Sequence, residues 1–109
     1  MTLQEDEFHD LADAALKRIL EAMDTADDMD ADLREGVLTI ELDSGGTYIV
    51  NKHAPNREIW VSSPKSGAWH FAFDPGRKAW CDTRGRGGAE NLTLEKLLTD
   101  ELDVAAALK

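Results

Sequence analysis

Carboxylates dominate the chemistry open to this sequence. Residues 1–35 hold 12 acidic residues against three bases, Lys17, Arg18 and Arg34, a balance of −9. Residues 36–109 hold ten acids and nine bases, a balance of −1, so the net charge of −10 sits almost wholly on the first third. Carboxylate oxygens are hard donors that suit Ca²⁺, Mg²⁺, Mn²⁺ and iron rather than soft metals. Asp28-Met29-Asp30-Ala31-Asp32 copies the D-x-D-x-D opening of an EF-hand loop. Leu33 then stands where that loop needs glycine, and Thr39 where it needs a bidentate glutamate, which excludes it. Like charges at i, i+3 and i+4 repel along a helix, so retaining this many together costs stability. That cost points to a use, either cation binding or a basic protein partner, beyond solubility alone. The sign of the charge argues against nucleic acid and against anionic membranes.

Other reactive residue types are sparse. His9 lies beside the acidic face and offers a nitrogen ligand, His53 falls in a turn, and His70 is out of phase with its aromatic neighbours. No pair has the spacing of a built zinc site. The single cysteine, Cys81, excludes a disulfide framework, and nothing pairs it with a base to make a nucleophile. Arg84-Gly85-Arg86-Gly87-Gly88 lacks the Lys-Ser/Thr of a P-loop and the spacing of a dinucleotide site. The acidic start of the chain has no basic n-region, so it reads as neither a signal nor a transit peptide.

Two helices and a run of strands must position these groups. Phe8, Leu11, Ala12, Ala15, Leu16, Ile19, Leu20 and Met23 share one helical face, and the acids fall on the other. Thr2 with Glu5 fits a capping box, and the helix is expected to fade near Thr25, before a polar stretch through Asp32. The period then changes to two. Strands are expected at Val37–Leu42, Thr47–Lys52, Glu58–Ser62, around Trp69–Phe73, and at Lys78–Thr83, joined by turns at 43–46, 55–56, 64–67 and 74–76. Ile59 and Val61 claim one face of their strand, which leaves Trp60 on the other with Glu58 and Ser62. Thr93 is a good N-cap for a last helix with Leu94, Leu97, Leu98, Leu102, Ala105 and Leu108 on its apolar face. The expected fold is α+β: one domain over residues 1–109, a two-layer sandwich with two terminal helices packed on one face of an antiparallel sheet of about five to six strands. Its other sheet face meets solvent or a partner.

The strand region resembles the frataxin family. The likeness is carried by Gly36-Val37-Leu38-Thr39-Ile40, Gly46-Thr47-Tyr48-Ile49-Val50-Asn51-Lys52, Pro55-Asn56-Arg57-Glu58-Ile59-Trp60-Val61-Ser62-Ser63-Pro64 and Ser66-Gly67. It extends to Glu7-Phe8-His9, Leu11-Ala12-Asp13, Trp80, Leu94, Leu97-Leu98 and Glu101-Leu102, and so covers almost the whole chain. The run from Gly46 to Gly67 is highly specific.

This resemblance implies the same sandwich and a role in iron–sulfur cluster assembly. It implies weak binding of iron, Fe²⁺ or Fe³⁺, through an acidic ridge that maps to Glu7, His9, Asp10, Asp13, Glu21, Asp24, Asp27, Asp28, Asp30, Asp32, Glu41 and Asp43. It implies docking on a cysteine desulfurase and its scaffold protein, through a sheet surface that maps to Asn51, Lys52, Pro55, Asn56 and Trp60. The implied state is a monomer able to oligomerise with iron, in a bacterial cytoplasm or, for a processed eukaryotic protein, in the mitochondrial matrix. The rival readings are a weak ferroxidase and an acidic docking module with no iron role. His53 and Glu58 replace residues that are often Gln in the family, His70 stands where mitochondrial members often carry Arg, and the loop 84–91 is longer than usual.

Overall fold

The computed structural model describes residues 4–24, 29–83 and 92–102. Helix α1, Glu5–Met23, is followed by six strands and by helix α2, Leu94–Leu102. The strands are β1 Met29–Arg34, β2 Val37–Leu42, β3 Thr47–His53, β4 Glu58–Ser63, β5 Gly67–Asp74 and β6 Ala79–Asp82. They form one antiparallel sheet in sequence order, β1 to β6, as connections too short for crossovers require. α1 packs on β1, β2 and β3, and α2 on β6.

The helix periodicity is borne out: Phe8, Ala12, Ala15, Leu16, Ile19, Ala22 and Met23 are buried. The cap is not as expected. Gln4 is the N-cap residue, without a side-chain bond, and Glu5 is the first helical residue rather than the third. Thr2, its expected partner, lies outside the described residues, as do Thr25, Asp27, Asp28, the loop 84–91, Ala105 and Leu108. Thr93 does cap α2, its Oγ1 accepting the Lys96 N–H at 3.2 Å.

One strand was hidden in the polar stretch. In β1 the apolar Met29, Ala31 and Leu33 pair with Leu42, Ile40 and Leu38 on the helix side, while Asp30, Asp32 and Arg34 point to the open face. Aspartate disfavours strands, which masks the alternation, yet charges on an edge strand also guard against edge-to-edge association. Glu35 (φ 51°) and Gly36 (φ 80°) close this hairpin with two left-handed residues, the geometry that a two-residue loop between twisted strands demands.

The core fills the space between the layers. Leu38, Ile40, Tyr48, Val50, Ile59, Val61, Trp69, Phe71 and Trp80 meet the apolar faces of both helices. The Trp80 ring packs edge-on against Phe8 and Phe73, at centroid distances of 6.0 and 5.5 Å. Tyr48 is buried with its hydroxyl donating to Glu101 Oε1 at 2.7 Å. Burial, reinforced by that bond to a carboxylate, pushes the phenol up to about 12. A phenol that holds its proton more tightly when folded stabilises the fold up to its ordinary pKa of about 10, and that stability is lost as pH rises further. Urea melts should therefore show stability falling between about pH 10 and 12, a slope that Tyr48→Phe removes while costing about 1 kcal/mol at neutral pH.

Candidate metal and partner surfaces

Antiparallel pairing places directly opposed residues on one face, so the register writes out the open side of the sheet. One row across it reads Arg34, Val37, Asn51, Trp60 and His70. The next holds His53, Glu58, Ala72 and Cys81. Trp60 thus lies on the open face, half-buried, as the alternation of β4 predicts. It does not pack on Trp80, which belongs to the core side. Its plane is instead stacked between two imidazoles: His53 at 3.6 Å and 9°, and His70 at 4.3 Å and 7°. The indole N–H donates to Glu58 Oε1 at 2.8 Å, and the same oxygen lies 3.8 Å from His70 Nδ1. Such stacking adds to simple area burial and fixes the ring rigidly. Asn51 is the neighbour of Trp60 on β3, and Pro55 and Asn56 stand exposed on the 3-10 turn Ala54–Asn56 that follows His53. His53 itself ends β3 rather than lying in the turn.

Lys52 departs from the expected surface. Strand parity sends it, with Tyr48 and Val50, to the helix side. Its ammonium reaches α1, 2.7 Å from Asp13 Oδ1, and donates to His9 Nδ1 at 3.1 Å. An ammonium has no acceptor capacity, so His9 Nδ1 is the acceptor and the ring carries its proton on Nε2. Lys52 therefore ties the sheet to α1 instead of facing a partner across the open side.

The candidate metal ligands divide between two surfaces. Glu7, Asp10, Asp13, Glu21 and Asp24 are exposed on α1, away from its core face. Glu21 and Asp24 stand at the negative end of the helix dipole, and no basic residue occupies the last turn, so their charge is locally unfavourable. Asp30, Asp32 and Glu41 instead lie on the open sheet face, around a shallow cavity of about 460 Å³ shared with Arg34 and Thr39. Asp43 is exposed in the β2–β3 turn. Two acids already have cations: Asp13 pairs with Lys52, and Asp32 with Arg34 at 2.8 Å. Among the described residues no three of His, Cys, Asp and Glu converge in a way that could hold a metal ion. What this arrangement offers is separate, solvated carboxylates on a rigid frame.

A frataxin-like domain model matches residues 1–107. The chain belongs to the frataxin family. It is 41% identical over 107 residues to the mitochondrial frataxin of Arabidopsis thaliana, covering 93% of this chain but only 54% of that protein, about half its length. It is also 41% identical over 100 residues to the iron-sulfur cluster assembly protein CyaY of Vibrio cholerae, covering 91% of each. Among solved structures it resembles trimeric frataxin from the yeast Saccharomyces cerevisiae complexed with ferrous iron, with TM-score 0.67 and 32% identity over 96% of this chain and 88% of that one.

Within this frataxin fold, sequence reasoning placed Trp60 on the open face but missed the clamp around it. The signal was there. The turn at 64–66 pairs Ser63 with Gly67, and counting back from that pair places His70 opposite Trp60. The same counting from the 54–57 turn sets His53 against Glu58, one diagonal step from Trp60.

Proposed function

We propose that this chain works in iron–sulfur cluster assembly as an iron-binding adaptor, delivering iron to a cysteine desulfurase–scaffold complex or regulating it. The observation that carries the reading is the separation of two surfaces on one rigid sandwich. One is the set of exposed carboxylates on α1; the other is the open sheet face, which carries Asp30, Asp32 and Glu41 at its β1–β2 edge and the clamped Trp60 further across. The name of the Vibrio relative and the ferrous complex of the yeast structure support it. Bacterial and mitochondrial relatives alike fit a cytoplasmic or matrix setting.

Iron here is cargo. Single carboxylates with water completing the shell bind a hard cation weakly and exchangeably, which suits hand-over better than storage. The ligands are Glu7, Asp10, Glu21, Asp24, Asp30, Asp32, Glu41 and Asp43, with Asp27 and Asp28 beside them in sequence. Asp32 binds in competition with Arg34, and His9 and Asp13 join only when the Lys52 ammonium yields its place. The same negative field steers the domain to a basic patch on the partner. Trp60, with Asn51, Pro55 and Asn56 around it, supplies the directional contact, since a rigid aromatic ring is the kind of anchor that carries interface energy. Metal on the carboxylates lowers the field, so iron load and docking are coupled.

An anaerobic Fe²⁺ titration followed by amide NMR, with Ca²⁺ in parallel, tests the iron half. Selective broadening at the α1 carboxylate positions and at Asp30, Asp32, Glu41 and Asp43, with the Trp60 indole signal unmoved, is expected. Broadening spread evenly over the chain, or none, removes the iron role and leaves a protein-docking surface.

A further inference from the structure

The two imidazoles on Trp60 are not equivalent. Nδ1 of His53 is fully buried and has no hydrogen-bond partner. In a neutral ring protonated on Nε2 that atom is a bare lone pair lying in the ring plane, parallel to the indole. A second proton puts an N–H there with no acceptor. The cost of a buried, unpaired and charged donor exceeds what a cation gains over a half-exposed indole, so the charged ring is better placed in water. On its own strand β3 adds Asn51, and Arg57, just after the 3-10 turn, has its guanidinium held on the Ala54 carbonyl; Cys81 shares the row but stands three strands away on β6. β4 contributes Glu58, but its Oε1 is engaged by the Trp60 N–H and lies on the His70 side. His70, on β5, differs in having that carboxylate at 3.8 Å, within ion-pair reach.

We propose that His53 is a proton-operated cover on Trp60: neutral, it lies flat on the indole; charged, it swings into solvent and bares one ring face to a docking partner. The docking consequence rests on the adaptor reading above, whereas the cover itself can be measured on the free chain.

Acrylamide quenching of tryptophan fluorescence reads the cover directly, because Trp69 (7% exposed) and Trp80 (2%) are buried in the core and only Trp60 can change its access. Between pH 8 and pH 5, the range in which imidazoles take a proton, the quenching constant is expected to rise about two-fold with no change in far-UV circular dichroism. His53→Gln should abolish the pH dependence, and His70→Gln should retain it. A quenching constant flat with pH, or a rise that survives His53→Gln, overturns the proposal. Affinity for the desulfurase–scaffold complex at the two pH values separates it from the adaptor reading. A cover that opens while docking stays indifferent to pH upholds the cover and takes the face of Trp60 out of the docking surface.

Discussion

Replacing Glu101 by alanine should lower the unfolding free energy by about 3 kcal/mol, the largest stability loss expected of a single polar change among the described residues. The carboxylate stands near the end of α2 and accepts three hydroxyl hydrogen bonds: from Ser63 at 2.6 Å, Ser66 at 2.5 Å and Tyr48 at 2.7 Å. Tyr48 and Ser63 are buried, so removing their acceptor leaves donors that water cannot reach. The network runs further: Trp69 donates its indole N–H to Ser66 Oγ, Ser63 Oγ accepts the backbone N–H groups of Lys65 and Ser66, and the Lys65 ammonium donates to the Glu101 carbonyl. One side chain thereby clamps the β4–β5 turn and β3 onto α2. For a domain of this size the loss corresponds to a fall in Tm of roughly 10–20 °C, read by calorimetry. Glu101→Gln keeps the shape and one acceptor, and should fall between.

The same group predicts an acid limb. Burial alone would raise the Glu101 carboxyl, but the bonds from Ser63, Ser66 and Tyr48, with Lys65 nearby, outweigh it and hold the group below its ordinary value. Its contribution is therefore fully present above the ordinary carboxyl pKa of about 4.3 and is lost as pH falls through the lowered folded value. The Gln variant should lack that part of the acid dependence.

The second large effect lies on the other surface. Trp60→Ala should weaken binding to the desulfurase–scaffold complex by about 30-fold or more, the loss typical of a central aromatic anchor. Its cost to the fold should stay near 1 kcal/mol, because the ring stacks on His53 and His70, outside the core between sheet and helices. Glu101→Ala should do the reverse, leaving docking intact at temperatures where the variant is folded. Isothermal titration of both variants, beside their melting curves, reads the pair. If Trp60→Ala loses binding only in proportion to stability, the open face is not the docking face.

Much of this architecture is written in periodicity. The 3.6-residue repeat from Phe8 to Met23 and the strict alternation of Leu38 with Ile40, and of Ile59 with Val61, need only burial of one face, and both are realised. β1 stayed hidden because its outward positions are Asp30 and Asp32, residues whose propensity speaks against a strand even where the inward Met29, Ala31 and Leu33 demand one. Lys52 was misplaced for a related reason: a lysine suggests a wet surface, while parity sends it inward, where its long stem spans to Asp13 and His9. The Glu101 network was invisible altogether. It joins residues 35 or more positions apart, and hydrogen bonds at that range leave no periodic trace.

The most direct test of the adaptor is the rate of sulfide release by a desulfurase–scaffold complex titrated with this chain, with and without Fe²⁺. The rate should change saturably as the chain is added, Fe²⁺ should shift the midpoint of that titration, and Trp60→Ala should move the midpoint to about 30-fold higher concentration. A rate indifferent to the chain under both conditions would contradict the account.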